Sequence, residues 1–214
     1  MPLRALIDEC DVYGPDLNAQ DWRALQQRLR HDRPAARLPC CAAHAVAKTS
    51  KLGTQFFAHY RKRECDAALE SAAHLEAKRA VYEGCIQAGW TACTEAAGPD
   101  GAWRADVLAN RDGQQTAFEV QLSRQNAQQT KERHALYAAH GVQCYWFFRR
   151  VPFSTPDRSI PAIALLTSDD GSNPEIALGP RKTALRVFVS SILSGRIRYA
   201  PVLRVNRPQY DLVI

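Results

Sequence analysis

The sequence predicts a mixed α/β fold in which a helix, three strands, a second helix and a fourth strand follow one another, and three observations carry that αβββαβ order. Asp112-Gly113 stands between two alternating segments and suits a two-residue hairpin loop. Upstream, Ala73, Ala77, Val81 and Cys85 recur at the helical step until Gly89 closes the run. Downstream, a polar helical stretch from about Asn126 to His140, ended by Gly141, leads into the apolar run Val142 to Phe148.

Taken in chain order, Asn18 and Asp21 ahead of Trp22, Leu25 and Leu29 predict a capped amphipathic helix ending near Arg33-Pro34. Two short β-like runs, Ala45 to Thr49 and Gln55 to Tyr60, flank Lys51-Leu52-Gly53 and read as a hairpin. The long helix then spans about Leu69 or Ser71 to Ala88, and strands are expected at Trp90 to Glu95, Trp103 to Ala109 and Thr116 to Leu122. Beyond Arg150, prolines at 152, 156 and 161 mark a connector into a short strand, Ala162 to Leu166. Gly179-Pro180 is then expected to open a further helix carrying Leu185, Phe188, Val189 and Ile192 as its apolar stripe. The organisation expected is an N-terminal helix and hairpin module over 1–65, a core over 66–150, and a C-terminal helical extension over 151–214 packed on that core.

The Asp-Gly loop fixes a register in which Asp106 faces Glu119 and Arg104 faces Gln121. Phe118, Val120 and Leu122 then point one way while Glu119 and Gln121 point the other. Two acids pressed together repel and raise one pKa, whereas a divalent cation keeps both ionised. The pattern therefore suits Mg²⁺-dependent phosphodiester chemistry; an ordinary hairpin with an acidic solvated face has the same pattern.

At 214 residues and 46% apolar content the chain can bury a core, and no stretch approaches the roughly 20 apolar residues of a bilayer span. No membrane partner and a cytoplasmic location are expected, and seven cysteines, an odd number, fit reduced thiols better than a secreted disulfide scaffold. The net charge of +6 points towards a polyanion such as nucleic acid. Cys85, Cys93 and Cys144 lie among apolar residues and read as core.

Glu70, His74 and Lys78 recur every fourth residue along one side of the long helix. Glu70 could add a metal or water contact, His74 could orient a phosphate, and Lys78 could offset charge on a pentavalent phosphate; a solvated helix face fits the same spacing. Cys40, Cys41, His59 and Cys65 offer enough soft ligands for tetrahedral Zn²⁺, although adjacent cysteines lack the usual spacer. The other reading of that segment is a small hairpin with buried thiols and a hydrogen-bonded histidine.

Together these features resemble the PD-(D/E)xK nuclease superfamily and, more closely, the competence protein CoiA-like family. The resemblance is carried by Cys40-Cys41, the run from Lys48 to Thr54, Phe57 to His59, Cys65, Glu70 to His74 with Lys78, Gly89-Trp90, Arg104 to Leu108, Glu119 to Gln121 with Ser123, and Tyr137 ahead of Gly141-Val142. It implies a restriction-endonuclease-like core, Asp106 and Glu119 as Mg²⁺ or Mn²⁺ ligands assisted by Glu70, and a zinc-ribbon-like element at the cysteines. Where the superfamily places a Lys, this chain has Gln121, which carries no charge, and Lys78 or His74 is positioned to substitute. Arg104, Ser123, Gln128, Thr130, Arg133 and Tyr137 are expected to line a DNA groove, Arg133 as a phosphate clamp.

The expected reaction is in-line attack of cation-activated water on a DNA phosphodiester, in DNA uptake, recombination or foreign-DNA processing. The alternative is a non-catalytic DNA-binding or recombination accessory protein that keeps the fold while Gln121 has removed turnover.

Overall fold

The computed structural model describes residues 2–31, 36–61, 70–153, 159–168, 170–178, 180–199 and 212–213. Cys65, Arg33 and Pro34 lie outside the described residues. The chain divides into two compact units, Met1–Arg79 and Ala80–Ile214.

The first unit opens with a hairpin that no turn signal in the sequence announces. Strands β1 (Arg4–Ile7) and β2 (Cys10–Tyr13) pair antiparallel around Asp8 and Glu9, both at positive φ (50° and 65°). Such a turn normally announces itself with Gly or Asn, and neither is present. Helix α1 (Ala19–His31) follows, and the Asn18 side chain accepts the Gln20 and Asp21 amides at 2.9 Å, the cap expected. Strand β3 (Ala36–Arg37) completes a sheet of order β2-β1-β3.

Strands β4 (Ala45–Thr49) and β5 (Gln55–His59) form the predicted hairpin, paired from Ala45 with His59 to Thr49 with Gln55. Trp22 meets Phe57 edge-on at 5.4 Å and donates its indole N–H to Thr49 Oγ1 at 3.0 Å, which fastens α1 to the hairpin. Helix α2 (Ala72–Gln87) begins in this unit and ends in the next.

In the second unit the expected alternation appears as β6 (Thr91–Ala97), β7 (Arg104–Arg111), β8 (Gln114–Gln121), α3 (Ala127–Ala139) and β9 (Gln143–Phe148). Asp112 and Gly113, at φ 53° and 79°, make the turn between β7 and β8. β8 and β9 are parallel, with α3 as the crossover. Both faces of the sheet are covered here: Phe147 meets Phe188 at 6.1 Å on one, and Trp146, Tyr137 and Trp103 cluster on the other. That double covering explains why β9 is an unbroken apolar run, and its aromatics serve the core.

The C-terminal expectation needs correction. β10 (Ala162–Leu166) is a strand as predicted, but Glu175–Leu178 and Arg181–Ala184 are further strands, β11 and β12, and helix α4 (Leu185–Leu193) starts only afterwards. The extension is therefore not simply helical: it widens one sheet to seven strands in the order β12-β11-β10-β9-β8-β7-β6. Pro180 is tolerated because it precedes a strand on the sheet edge, where no inward N–H is required. The apolar stripe of α4 is real, with Leu185, Phe188 and Val189 wholly buried, and Gly84 of α2 lets α4 approach so closely that a Cβ there would lie 2.6 Å from the Arg186 carbonyl. A final two-strand pair joins β13 (Arg198–Tyr199) to β14 (Leu212–Val213). Among the described residues no helix is long and apolar enough to cross a membrane.

Candidate functional site

In the second unit the β7–β8 ladder runs in the predicted register from Arg111 with Gln114 to Val107 with Phe118, and there it stops. The next pair, Asp106 with Glu119, is not made by the main chain: the Val120 amide instead donates to Asp106 Oδ2 at 2.8 Å. On the other flank of β7 the ladder to β6 passes from Thr94 with Val107 to Ala96 with Ala105, omitting Glu95 opposite Asp106. Glu95 sits at φ 55°, a left-handed conformation that costs energy for a side chain of its kind. Asp106 thus occupies a point where pairing is interrupted on both sides, and such irregularities re-aim side chains next to functional sites.

Glu119 is 1% exposed, and its Oε1 accepts hydrogen bonds from Arg133 Nη2 at 2.8 Å and from the Tyr137 hydroxyl. Arg133 and Tyr137 are one helical turn apart on α3, so a single helix face grips the carboxylate. The Arg133 guanidinium also lies 5.1 Å from the centre of the Trp146 ring, which carries it as a cation over an aromatic face. Burial pushes the Glu119 carboxyl upward and the Asp106 charge adds to the rise; Arg133 and Tyr137 pull the other way, and the balance is about 8. A buried and a half-buried acid that repel in this manner form an oxygen donor set suited to a hard divalent cation.

The residues expected to touch DNA divide. Arg104, Ser123 and Gln128 are exposed, and Gln128 donates to Glu132 at 2.9 Å. Arg133 is half-buried with its guanidinium on Glu119, Thr130 is buried against the helix start at the Asn126 carbonyl, and Tyr137 has no exposure at all. These three differ from the expected groove lining because the α3 face that carries them packs on the sheet. The grip of Arg133 and Tyr137 on Glu119 was legible only as their i, i+4 spacing; what that face holds follows from the parallel β8–β9 crossover. Gln121 ends β8 two positions beyond Glu119, and its carbonyl accepts the Arg149 amide at 3.0 Å. Burial pushes the Cys85 and Cys144 thiols well up, in keeping with inert core cysteines, while Cys93 is partly buried.

Within the first unit, Glu70, His74 and Lys78 come together as their spacing implied. Lys78, wholly buried, places Nζ 2.8 Å from Glu70 Oε1, and His74 Nε2 lies 3.5 Å from the same oxygen. A buried ammonium of this kind is held by its partner, and removing one member strands the other. Lys78→Met is expected to lower stability by about 3 kcal/mol, with Glu70→Gln added to it restoring most of the loss; urea unfolding of the two variants checks this. Thr54 and Arg79 meet on Glu76 nearby, the Thr54 hydroxyl at 2.8 Å.

Also in the first unit, Cys41 Sγ lies 3.3 Å and Cys40 Sγ 3.8 Å from His59 Nε2, and the two sulfurs are 3.5 Å apart. Ala42, at φ 56°, turns the chain directly after the cysteines, so adjacency does not prevent both from facing one histidine. Three soft donors at one point fit zinc, and Cys65 lies outside the described residues.

Residues 70–161 match the family model of the competence protein CoiA nuclease-like domain. The resemblance to the CoiA-like family is borne out by that match over residues 70–161, which reach from the start of the α2 segment to the connector before β10. No curated protein and no solved structure matches the chain.

Proposed function

Proceeding from a CoiA nuclease-like domain over residues 70–161, we propose that this protein is a metal-dependent deoxyribonuclease acting in DNA uptake, recombination or foreign-DNA processing. The observation that carries the reading is the interrupted ladder at Asp106, which sets a second carboxylate beside the buried, doubly hydrogen-bonded Glu119. Asp106 and Glu119 would hold Mg²⁺ or Mn²⁺, and the cation would supply Lewis-acid polarisation of the phosphate and acidification of a water. Arg133 and Tyr137 fix the Glu119 carboxylate, so its free lone pairs keep one direction without reorganisation. Gln121 contributes an uncharged amide where a lysine would contribute charge, and Glu70, His74 and Lys78 are assigned the supporting acid, phosphate-orienting and charge-offsetting tasks. Exposed Arg104, Ser123 and Gln128 are assigned to the DNA backbone.

The test is cleavage of supercoiled plasmid and of single-stranded DNA with Mg²⁺ or Mn²⁺, against the same protein in chelator. Metal-dependent products are expected. Salt-sensitive DNA binding without any cleavage would instead support an accessory protein, a reading favoured by one specific residue, Gln121.

We further propose zinc at Cys40, Cys41 and His59 with Cys65 as a fourth ligand. Metal analysis of the purified chain is expected to return about one zinc per chain, and less than half of that for Cys41→Ser. Full retention in that variant would remove the proposal.

A further inference from the structure

Trp90 and Arg111 border a cleft of about 520 Å³ in the second unit that none of the roles above uses. Gln114, Gln115, Gln143 and Tyr145 line it as well, and no acidic residue does. The β7–β8 turn sets its rim, since Arg111 pairs with Gln114 directly across Asp112-Gly113. The Arg111 guanidinium lies 4.8 Å from the centre of the Trp90 ring, and among the described residues no carboxylate pairs with it. Trp90 is 7% exposed and its indole N–H, fully buried, meets no acceptor. A buried donor left unmet costs about 1–3 kcal/mol, so folded proteins rarely keep one without a purpose. Gln143 Nε2 donates to the Tyr145 hydroxyl at 3.0 Å, which leaves the hydroxyl's own proton to donate onward.

Arg111 and the Trp90 indole N–H can only donate, the glutamine amides and the Tyr145 hydroxyl can donate as well as accept, and the one formal charge in the lining is positive. The complementary ligand is an oxyanion. The volume exceeds what a bare anion needs and falls in the range of about 300–1,000 Å³ usual for small-molecule sites. Because the guanidinium already covers the Trp90 ring, that face is closed to a stacking base. The cleft is on the Tyr145 side of β9, whereas Glu119 and Tyr137 are on the Trp146 side, and consecutive strand residues point to opposite faces.

We propose that this cleft binds a phosphate monoester, with Arg111 as the charge partner and the Trp90 indole N–H as a donor to one phosphate oxygen. The ester has two sources, a free nucleotide or the phosphorylated end of a nucleic-acid strand.

The experiment uses the full ¹⁵N-labelled chain in chelator, so that no cleavage intervenes and its outcome is separate from that of the nuclease assay. The Trp90 indole N–H resonance, assigned with Trp90→Phe, is followed during titration with inorganic phosphate, a nucleoside 5′-monophosphate, and a short oligonucleotide with and without a 5′-phosphate. A saturable shift is expected with a monoester and not with the unphosphorylated oligonucleotide, and Arg111→Gln should weaken it at least tenfold while the rest of the spectrum stays unchanged. A shift with the mononucleotide alone assigns the site to free nucleotide, and one with the phosphorylated strand alone to strand ends. No saturable shift with either monoester, or equal affinity in Arg111→Gln, overturns the proposal.

Discussion

Asp106→Asn is expected to reduce metal-dependent DNA cleavage to the level seen in chelator while leaving the fold intact, and Asp106→Ala to abolish cleavage with an added loss of stability. The two variants separate because Asp106 serves two ends. Its Oδ2 accepts the Val120 amide where the β7–β8 ladder lacks a main-chain partner. Asparagine keeps a carbonyl oxygen for that amide and removes only the charge. Alanine leaves the amide unmet inside the sheet, a cost of about 1–3 kcal/mol. Cleavage rates, Mn²⁺ binding by calorimetry and urea unfolding together resolve the charge from the hydrogen bond. Wild-type cleavage by the asparagine variant would end the proposal that this carboxylate holds a cation.

The central strands were legible because their signals are local. Asp112-Gly113 sets the β7–β8 register, Asn126 and Gly141 bound α3, and the apolar run of β9 announces a strand covered on both faces. The β1–β2 hairpin was not, since its left-handed positions are Asp8 and Glu9 and carry no turn signature. The strands β11 and β12 were hidden by their shortness and by Pro180, whose preference for the first turn of a helix fits a strand edge equally well. At the site, paired acids could be read from the register, but the missing pair at Glu95 could not, because nothing in a glutamate's neighbours reports a left-handed backbone. Arg133 and Tyr137 looked like groove residues because polar side chains on a polar helix carry no sign of which partner will claim them. Only the parallel crossover, which brings α3 over β8, gives them to Glu119.

Glu119 should make the metal-free protein less stable as pH rises from about 4.5 to about 8. Its folded-state carboxyl, near 8, stands above its ordinary value of 4.5, so the folded chain holds a proton that the unfolded chain has released in that window. Stability from this group is fully present below the unfolded value, declines by roughly 1.4 kcal/mol per pH unit through the window, and levels off above the folded value. Glu119→Gln cannot titrate and should lose that slope, which the difference between the two urea-unfolding profiles isolates from every other group. The same proton opposes a cation: near pH 7 Glu119 is largely protonated in metal-free molecules, so Mn²⁺ must displace it. Calorimetry in buffers of different ionisation enthalpy should therefore show close to one proton released per ion bound at pH 7, and affinity rising nearly tenfold per unit until about pH 8. Binding that releases no proton, or an unchanged slope in Glu119→Gln, would mean that the Arg133 and Tyr137 hydrogen bonds outweigh burial and Asp106 and keep the carboxylate ionised without a metal.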